Sequence, residues 1–205
     1  MPSAPQRLTD RKREAIVQAA VAEFRTAGYE ATSMDRIAAA AGVSKRTVYN
    51  HFPSKEALFT LMLEHLWESS TASVDVAYRP DQPLDQQLKR LLMQKLEVLA
   101  DPGFIDLARV ALAEIIHSPE RAQDIVCRMG EKDSGETAWI RAAIADKRLT
   151  KVDADFASHQ LQGLVKSFAF WPQVTLGQPP LTAAERKRVA ESAVAMFLGC
   201  YERRA

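Results

Sequence analysis

Residues 43–55, VSKRTVYNHFPSK, carry three basic residues and one histidine with no acid among them. Arg46 can donate two hydrogen bonds to guanine, Asn50 can pair with adenine, and the methyl group of Thr47 can contact thymine. These are side chains with which a helix reads base edges in the major groove of duplex DNA. Charge alone leaves a second interpretation open, since a basic helix face is often only a solvated surface.

Other donors in and around this segment suit the phosphates on either side of a groove. Tyr49 and His51 fall on the flanks of the predicted helix, and Lys55 opens the next helix, where free N–H groups also favour anions. The start of the preceding helix offers the same opportunity. The predicted DNA-binding residues are Ser33, Ser44, Lys45, Arg46, Thr47, Tyr49, Asn50, His51 and Lys55.

The sequence predicts that two helices joined by a tight turn position these residues. Thr32 forms a capping box with Asp35 at the start of one helix, which ends at Gly42. Ser44 caps the next helix, which must end before Pro53 because the residue before proline avoids helical geometry. This spacing is typical of a helix-turn-helix.

The helix that carries the polar residues also has an apolar side. Val48 and Phe52 share that side at about 100° per residue, and we expect them to pack against Phe24, Ile37 and Ala41. The base-reading side chains would then point away from the core. A pair of packed helices without any nucleic-acid role remains the alternative on these patterns alone.

Apolar residues recur at helical spacing almost throughout, and no stretch between turn signals reads as a strand. We therefore predict an all-α protein of about nine or ten helices. A three-helix DNA-binding domain would occupy residues 1–54, and a helical domain for ligand binding and dimerisation would occupy 55–205. The predicted helices are 10–27, the two of the helix-turn-helix, 54–76, 83–100, 103–117, 119–130, 131–147, 153–171 and 183–203. Gly28 would end the first of these in left-handed backbone, Ser54 would cap the helix 54–76, and Thr182 with Glu185 would form a capping box at the last.

The segment IVQAAVAEFRTAGYEATSMDRIAAAAGVSKRTVYNHFPSKEALF resembles the DNA-binding domain of the TetR/AcrR family of bacterial transcriptional regulators. The resemblance covers residues 11–59, about a quarter of the chain. It implies a homodimeric repressor, with DNA contacts at Lys45, Arg46, Thr47, Tyr49, His51 and Lys55 and with Ser33 near phosphate. Asn50 departs from the bulkier residues frequent there, so its base-reading role rests on its chemistry alone. FIDLARVALAEIIHSPERAQDIV and LQGLVKSFAFWP resemble the AefR-like branch more loosely.

Two helices near the C-terminus carry apolar stripes that suit dimerisation. A two-fold dimer would read two half-sites about one helical turn apart, which a single helix-turn-helix cannot do. The alternative is that the stripes face the core of their own protomer. The predicted interface residues are Leu161, Leu164, Val165, Phe168, Val189, Ala193, Met196, Phe197 and Cys200.

Aromatic and methionine residues between these stripes and the DNA-binding domain could line an apolar pocket for a small apolar or aromatic effector. His65 and His117 would be its polar orienting groups. Such residues more often form the core, and that alternative stays open for each of them. The predicted ligand-binding residues are Met62, Trp67, Phe104, His117, Met129, Trp139, Phe168 and Trp171.

Composition restricts the remaining classes. The formal charge of +1 divides into +3 over residues 1–60 and −2 over the rest, so positive charge lies near the DNA-binding segment. No apolar run reaches the roughly 20 residues of a membrane span, and no signal peptide is recognisable, so we expect a cytoplasmic protein without a membrane partner. The four histidines lack metal-ligand spacing, and no catalytic motif is present, so we expect no cofactor, no metal and no enzyme activity.

These patterns together predict a sequence-specific transcriptional regulator. We expect a repressor that a small apolar or aromatic effector releases from palindromic double-stranded operator DNA. The alternative is a helical ligand-binding or scaffold protein that keeps the fold without binding DNA.

Overall fold

The computed structural model describes residues 4–72, 77–117 and 135–203. For residues 4–8 and 65–72 it describes the backbone but not the side chains. Within the described residues the secondary structure is helical apart from one isolated bridge between Leu149 and Glu202. The predicted all-α class is confirmed. The helices are α1 Ala4–Ala27, α2 Met34–Ala40, α3 Lys45–His51, α4 Lys55–Ala72, α5 Leu84–Leu99, α6 Pro102–His117, α7 Gly135–Ala145, α8 Ala154–Ala169, α9 Trp171–Leu176 and α10 Ala183–Tyr201.

The chain divides into two compact units. The N-terminal unit comprises Met1–Trp67 with Asp106–Met129, and the C-terminal unit comprises Glu68–Ile105 with Gly130–Ala205. This division follows packing. The functional boundary between 1–54 and 55–205 stays a prediction.

The core of the N-terminal unit forms around the buried face of α1. Ile16 and Ala20 are fully buried, and Phe24 packs with Tyr29 and Phe59 in a cluster of three rings whose centroids lie 5.0–5.9 Å apart. Such ring pairs stabilise a core beyond the apolar area that they bury. This cluster holds the end of α1 against the start of α4.

Two glycines end helices by adopting left-handed backbone. Gly28, with φ 81°, follows α1, and Gly42, with φ 65°, follows α2. The N–H of Gly42 donates to Ala39 O at 3.2 Å, and the N–H of Val43 donates to Ala38 O at 3.1 Å. This pair of bonds is a Schellman motif, which satisfies the last carbonyls of α2 while reversing the chain toward α3. Both glycine ends were predicted.

Helix α1 begins at Ala4, before the predicted residue 10, whereas the predicted caps agree with the structure except at α2. Ser33, not Thr32, is its N-cap, because Ser33 Oγ accepts from the Arg36 N–H at 3.3 Å. Thr32 is buried and donates its hydroxyl to Gly28 O at 2.8 Å instead. Ser44 and Ser54 cap α3 and α4 as predicted, and the predicted capping box at Thr182 is present in α10.

Helices α5, α7, α8 and α10 enclose the core of the C-terminal unit. Trp139 lies in this core and donates its Nε1–H to Gln87 Oε1 at 3.3 Å. The largest fully buried side chains of this unit are Leu84, Leu88, Leu91, Leu92, Leu96, Trp139, Ile140 and Leu149.

The predicted helix 153–171 is two helices, with a break at Phe170 (φ −131°, ψ −62°). Pro172 explains the break, since proline lacks an N–H and its ring would collide with the carbonyl four residues earlier in a continuous helix. Helix α7 is described from Gly135, and its predicted start at residue 131 lies outside the described residues. The predicted helix 119–130 and the predicted end of α4 at Val76 lie outside the described residues.

We expect Val48→Asp to unfold the N-terminal unit. Val48 is 0% exposed, so the substitution buries an unpaired charge, and the expected loss is about 3–5 kcal/mol in the free energy of unfolding. Chemical denaturation followed by circular dichroism measures this loss. Asn50→Asp is the matched control, because it places the same carboxylate on the exposed side of α3 and should change stability by under about 0.5 kcal/mol. Equal losses in the two variants would contradict the assigned faces.

Candidate nucleic-acid interface

Helix α3 is seven residues long. A cap at its start, a change to extended backbone at its end and one buried side chain fix its position. Ser44 Oγ accepts from the Thr47 N–H at 3.1 Å at the start, and Phe52 ends the helix in extended backbone at φ −138°. Val48 is the one buried residue within α3. It shares a buried cluster with Phe24, Ile37 and Phe52, against which Ala41 packs, as predicted.

The outer side of α3 presents four exposed side chains. They are Lys45, Arg46, Tyr49 and Asn50, and Tyr49 retains 43% of its accessible surface. The Arg46 side chain has no hydrogen-bond or ion-pair partner among the described residues. A guanidinium in this state is available to the paired acceptors of a guanine or to a phosphate. This face is where the DNA-binding prediction placed its contacts.

Thr47 and His51 are less open than the other predicted contacts. Both are half-buried, and the hydroxyl of Thr47 lies 2.8 Å from that of Ser44, so the two hydroxyls share a hydrogen bond. Ser44 and Ser33 each use their side-chain oxygens to cap helices. A DNA contact by any of these four residues stays a prediction.

The structure brings an acid next to the start of α3 that the local sequence does not contain. Asp35 of α2 forms an ion pair with Lys45, with Oδ1 2.8 Å and Oδ2 3.0 Å from Nζ. The hydrogen bond and the negative charge of Asp35 raise the pKa of the Lys45 ammonium, which therefore stays charged at neutral pH. Such exposed pairs contribute little to stability, so a phosphate can displace the carboxylate.

Lys55 has partners inside the protein that the sequence analysis missed. Its ammonium donates to Tyr29 O at 2.7 Å and to Glu30 O at 3.3 Å, and it lies 4.2 Å from the centroid of the Tyr29 ring. These bonds tie the start of α4 to the segment after α1. Lys55 therefore has a structural role, and its contact with phosphate stays a prediction.

The predicted ligand-binding residues fall into different environments. Met62 and Trp139 are buried in the cores of their respective units, and a ligand contact by either of them stays a prediction. Phe104 is half-buried and His117 is exposed. Phe168 and Trp171 are also exposed. Trp67, Met129 and His65 lie outside the described side chains.

The predicted dimer stripes separate into a buried set and an open set. Leu161, Val165, Ala193 and Phe197 are at most 2% exposed and pack in the core of the C-terminal unit, and an interface contact by any of them stays a prediction. The residues that remain open at least in part are Leu164, Phe168, Val189, Met196 and Cys200.

Four of these open residues line one groove between α8 and α10. The groove has a volume of about 360 Å³, and Phe168 and Met196 beside it keep 58% and 59% of their accessible surface. Its other lining side chains are Leu181, Glu185, Arg188, Ser192 and the edge of Ala193. The groove is therefore an apolar channel with two charged residues.

Comparison with known proteins establishes the family. The model of the tetR family of bacterial regulatory proteins matches residues 16–62, and that of the C-terminal domain of AefR-like transcriptional repressors matches residues 86–203. The second match covers more than half of the chain. The chain belongs to the TetR family of transcriptional regulators and carries a DNA-binding N-terminal domain. The predicted family and regulator function are confirmed.

Individual relatives match most of the length of this chain. A TetR family transcriptional regulator from Pseudomonas syringae pv. tomato is 55% identical, with a TM-score of 0.87 over 95% of this chain and 98% of its own. The flavonoid-responsive regulator FrrA is 29% identical, with a TM-score of 0.74 over 96% of this chain and all of its own. The regulator RutR of Escherichia coli K12 is 28% identical over 82% of this chain and 79% of its own. These relatives are regulators, not enzymes.

The described residues contain no group of three or more His, Cys, Asp and Glu side chains that could hold a metal ion. Among those same residues, no helix is long and apolar enough to cross a membrane.

We expect Asp35→Asn to strengthen DNA binding. The change removes a negative charge beside the exposed face and frees Lys45 for phosphate, so affinity should rise roughly two- to fivefold at low salt. The slope of log affinity against log salt should steepen by up to roughly 0.9. Fluorescence anisotropy on a labelled duplex measures both.

Asp81→Asn is the control, because it removes one exposed carboxylate from the C-terminal unit and should leave the affinity unchanged. A melting curve should show that α2 is intact, since Asp35 lies in its first turn. Weaker DNA binding by folded Asp35→Asn protein would mean that the carboxylate positions Lys45 rather than restrains it.

Proposed function

We propose that the protein is a homodimeric repressor that binds palindromic operator DNA through α3 and is released by a small effector. The single observation that carries the DNA-binding role is the exposed outer side of α3, where Arg46 has no partner among the described residues. The operator would lie in the cytoplasm, and no catalytic step is part of this role.

The face assignment favours reading of bases by Arg46 and Asn50. Their side chains stand on the side opposite Val48, and a helix seated in the major groove presents this side to the base edges. Lys45 and Tyr49 stand beside them and suit the phosphates of the groove wall. Each good pair between a side chain and a base contributes roughly 1–3 kcal/mol of discrimination.

The open groove between α8 and α10 supports self-association. Large apolar side chains that stay exposed next to a concave apolar surface often mark an interaction site. A second copy of the chain would cover Phe168 and Met196 and would set two α3 helices on one duplex. TetR family members bind operator DNA and dimerise, which favours this occupant.

Repression and effector control follow from the relatives. The family of the C-terminal region is described as AefR-like transcriptional repressors, and FrrA is described as flavonoid-responsive. A small molecule as the signal is therefore the proposal for this chain. The effector can act only if it binds the free dimer and the operator-bound dimer with different affinities.

Selection of bound sequences from random duplex DNA tests the DNA-binding proposal. We expect a palindrome, and we expect Arg46→Ala to relax the preference at one position of each half-site by roughly 1–3 kcal/mol. Lys187→Ala is the control, since it removes one exposed positive charge from the C-terminal unit. A sequence-independent loss for Arg46→Ala would place Arg46 on phosphate, and absence of duplex binding at low salt would favour a scaffold that lacks the DNA-binding role.

Phe168→Glu tests the proposed dimer face. A charge in the groove should shift the protein toward the monomer in sedimentation velocity experiments, because an unpaired carboxylate would be buried at the interface. Phe156→Glu is a matched control: Phe156 lies on the same helix and is 57% exposed, but it does not line the groove. Equal behaviour of the two variants would locate the dimer interface elsewhere.

A further inference from the structure

A cluster of buried polar groups joins α5, α7 and α8 inside the C-terminal unit. Lys95 of α5 forms an ion pair with Glu136 of α7, and both side chains are almost fully buried. Gln162 of α8 donates to the other carboxylate oxygen of Glu136 at 3.0 Å and lies 3.5 Å from Ser158 Oγ. The carboxylate of Glu136 is thus bonded at both oxygens.

A second lysine adjoins this cluster without a carboxylate of its own. Lys166 follows Gln162 by one helical turn on α8 and is half-buried. No ion pair or hydrogen bond of its ammonium occurs among the described residues. Burial lowers the pKa of Lys166, and the nearby charge of Lys95 lowers it further, while Glu136 opposes both effects. Two lysines therefore share one carboxylate.

Aromatic rings also lie close to the Lys166 ammonium. The ammonium of Lys166 lies 5.8 Å from the centroid of the Phe170 ring. Phe170 in turn packs edge-to-face on Phe104 at 6.5 Å and on Trp171 at 5.0 Å. The position thus combines an apolar aromatic wall with a cation that has no ion pair in the part of the chain that the structure describes.

The known neighbours of Lys166 do not balance its charge. A cation held over a phenylalanine ring gains about 0.5–1 kcal/mol at exposed sites, well below the value of a buried ion pair. The end of α8 carries about half a negative charge, which is also less than a full carboxylate. An anion beside Lys166 would give each lysine its own partner.

We propose that Lys166 binds the carboxylate of an amphipathic effector whose apolar body packs against Phe104 and Phe170. This inference rests on the proposed function, because it assigns a chemical class to the effector. It adds a carboxylate to the small apolar or aromatic effector expected from the sequence. Lys95 is not the anchor, since Glu136 already neutralises it.

Matched pairs of small molecules test this proposal. The probes are 3-phenylpropionate with 3-phenylpropanamide and octanoate with octanamide, which differ in charge but hardly in shape. Isothermal titration calorimetry on the full chain should show that the carboxylates bind about tenfold more tightly than the amides, as expected for a charge-assisted hydrogen bond. Inorganic phosphate is the third arm, and tighter binding of phosphate than of either carboxylate would overturn the carboxylate assignment.

Variants locate the preference at one side chain. Lys166→Met should abolish the tenfold difference, and Lys166→Arg should retain it. Lys187→Met, which removes an exposed lysine, should leave it unchanged. A preference that survives Lys166→Met, or equal binding of carboxylates and amides by the unaltered protein, would overturn the proposal, as would the absence of binding by all four probes at millimolar concentration.

Stability gives a readout that needs no ligand. Lys166→Met should leave the melting temperature unchanged or raise it, because it removes an unpaired, partly buried charge. Lys95→Met should lower the melting temperature, because it leaves Glu136 buried without its cation. The opposite order would mean that Lys166 is the paired lysine and would overturn the assignment.

Duplex binding separates this inference from the proposed function. Suppose that the unaltered protein and the Lys166→Met variant both bind duplex DNA but neither prefers carboxylates to amides. The proposed DNA-binding function is then retained, and the proposed acidic effector is wrong. If the carboxylates bind through Lys166 but do not alter the affinity of the protein for the selected operator, the anion site is supported and its role as an effector site is wrong.

Discussion

The orientation of α3 depends on the burial of one side chain between two capped ends. A seven-residue helix is too short to be stable alone, because helix formation needs a costly first turn. Val48 supplies the apolar anchor, the Schellman turn at Gly42 fixes the entry, and extended backbone at Phe52 fixes the exit. Because so little of α3 is needed for packing, its remaining surface is free to carry side chains that bind DNA.

Helix α8 shows why an apolar stripe does not by itself reveal its partner. Leu161 and Val165 form one row, and Leu164 and Phe168 form another about 60° away at 100° per residue. The first row is buried in the C-terminal unit, whereas Phe168 remains exposed. A single neighbouring helix face does not cover both rows. The sequence predicts that both rows are apolar, but only the packing distinguishes core from surface.

Sequence reasoning succeeded at most of the predicted helix ends. The glycine ends at Gly28 and Gly42 and the cap at Ser44 depend on a few adjacent residues, and the structure confirms them. It failed where residues distant in the chain meet. The pairing of Lys45 with Asp35 needs the turn between α2 and α3, and nothing in the spacing of a charged face predicts which acid will reach it. The shift of the α2 cap from Thr32 to Ser33 has a local cause that the capping pattern does not show, because the Thr32 hydroxyl donates to Gly28 O instead.

Lys45 in the N-terminal unit and Lys166 in the C-terminal unit differ in the water and the carboxylate partner that a binding anion must displace. An exposed lysine such as Lys45 is solvated and has a carboxylate that must be displaced, so each phosphate contact gains little and specificity must come from base edges. Lys166 has already lost part of its water through folding, and no carboxylate of residues 77–117 or 135–203 pairs with it. A ligand carboxylate would thus meet a cation in a medium of lower effective dielectric, where attraction between charges is stronger. The same reasoning explains why the buried pair of Lys95 and Glu136 is a poor site, since both of its charges are already satisfied.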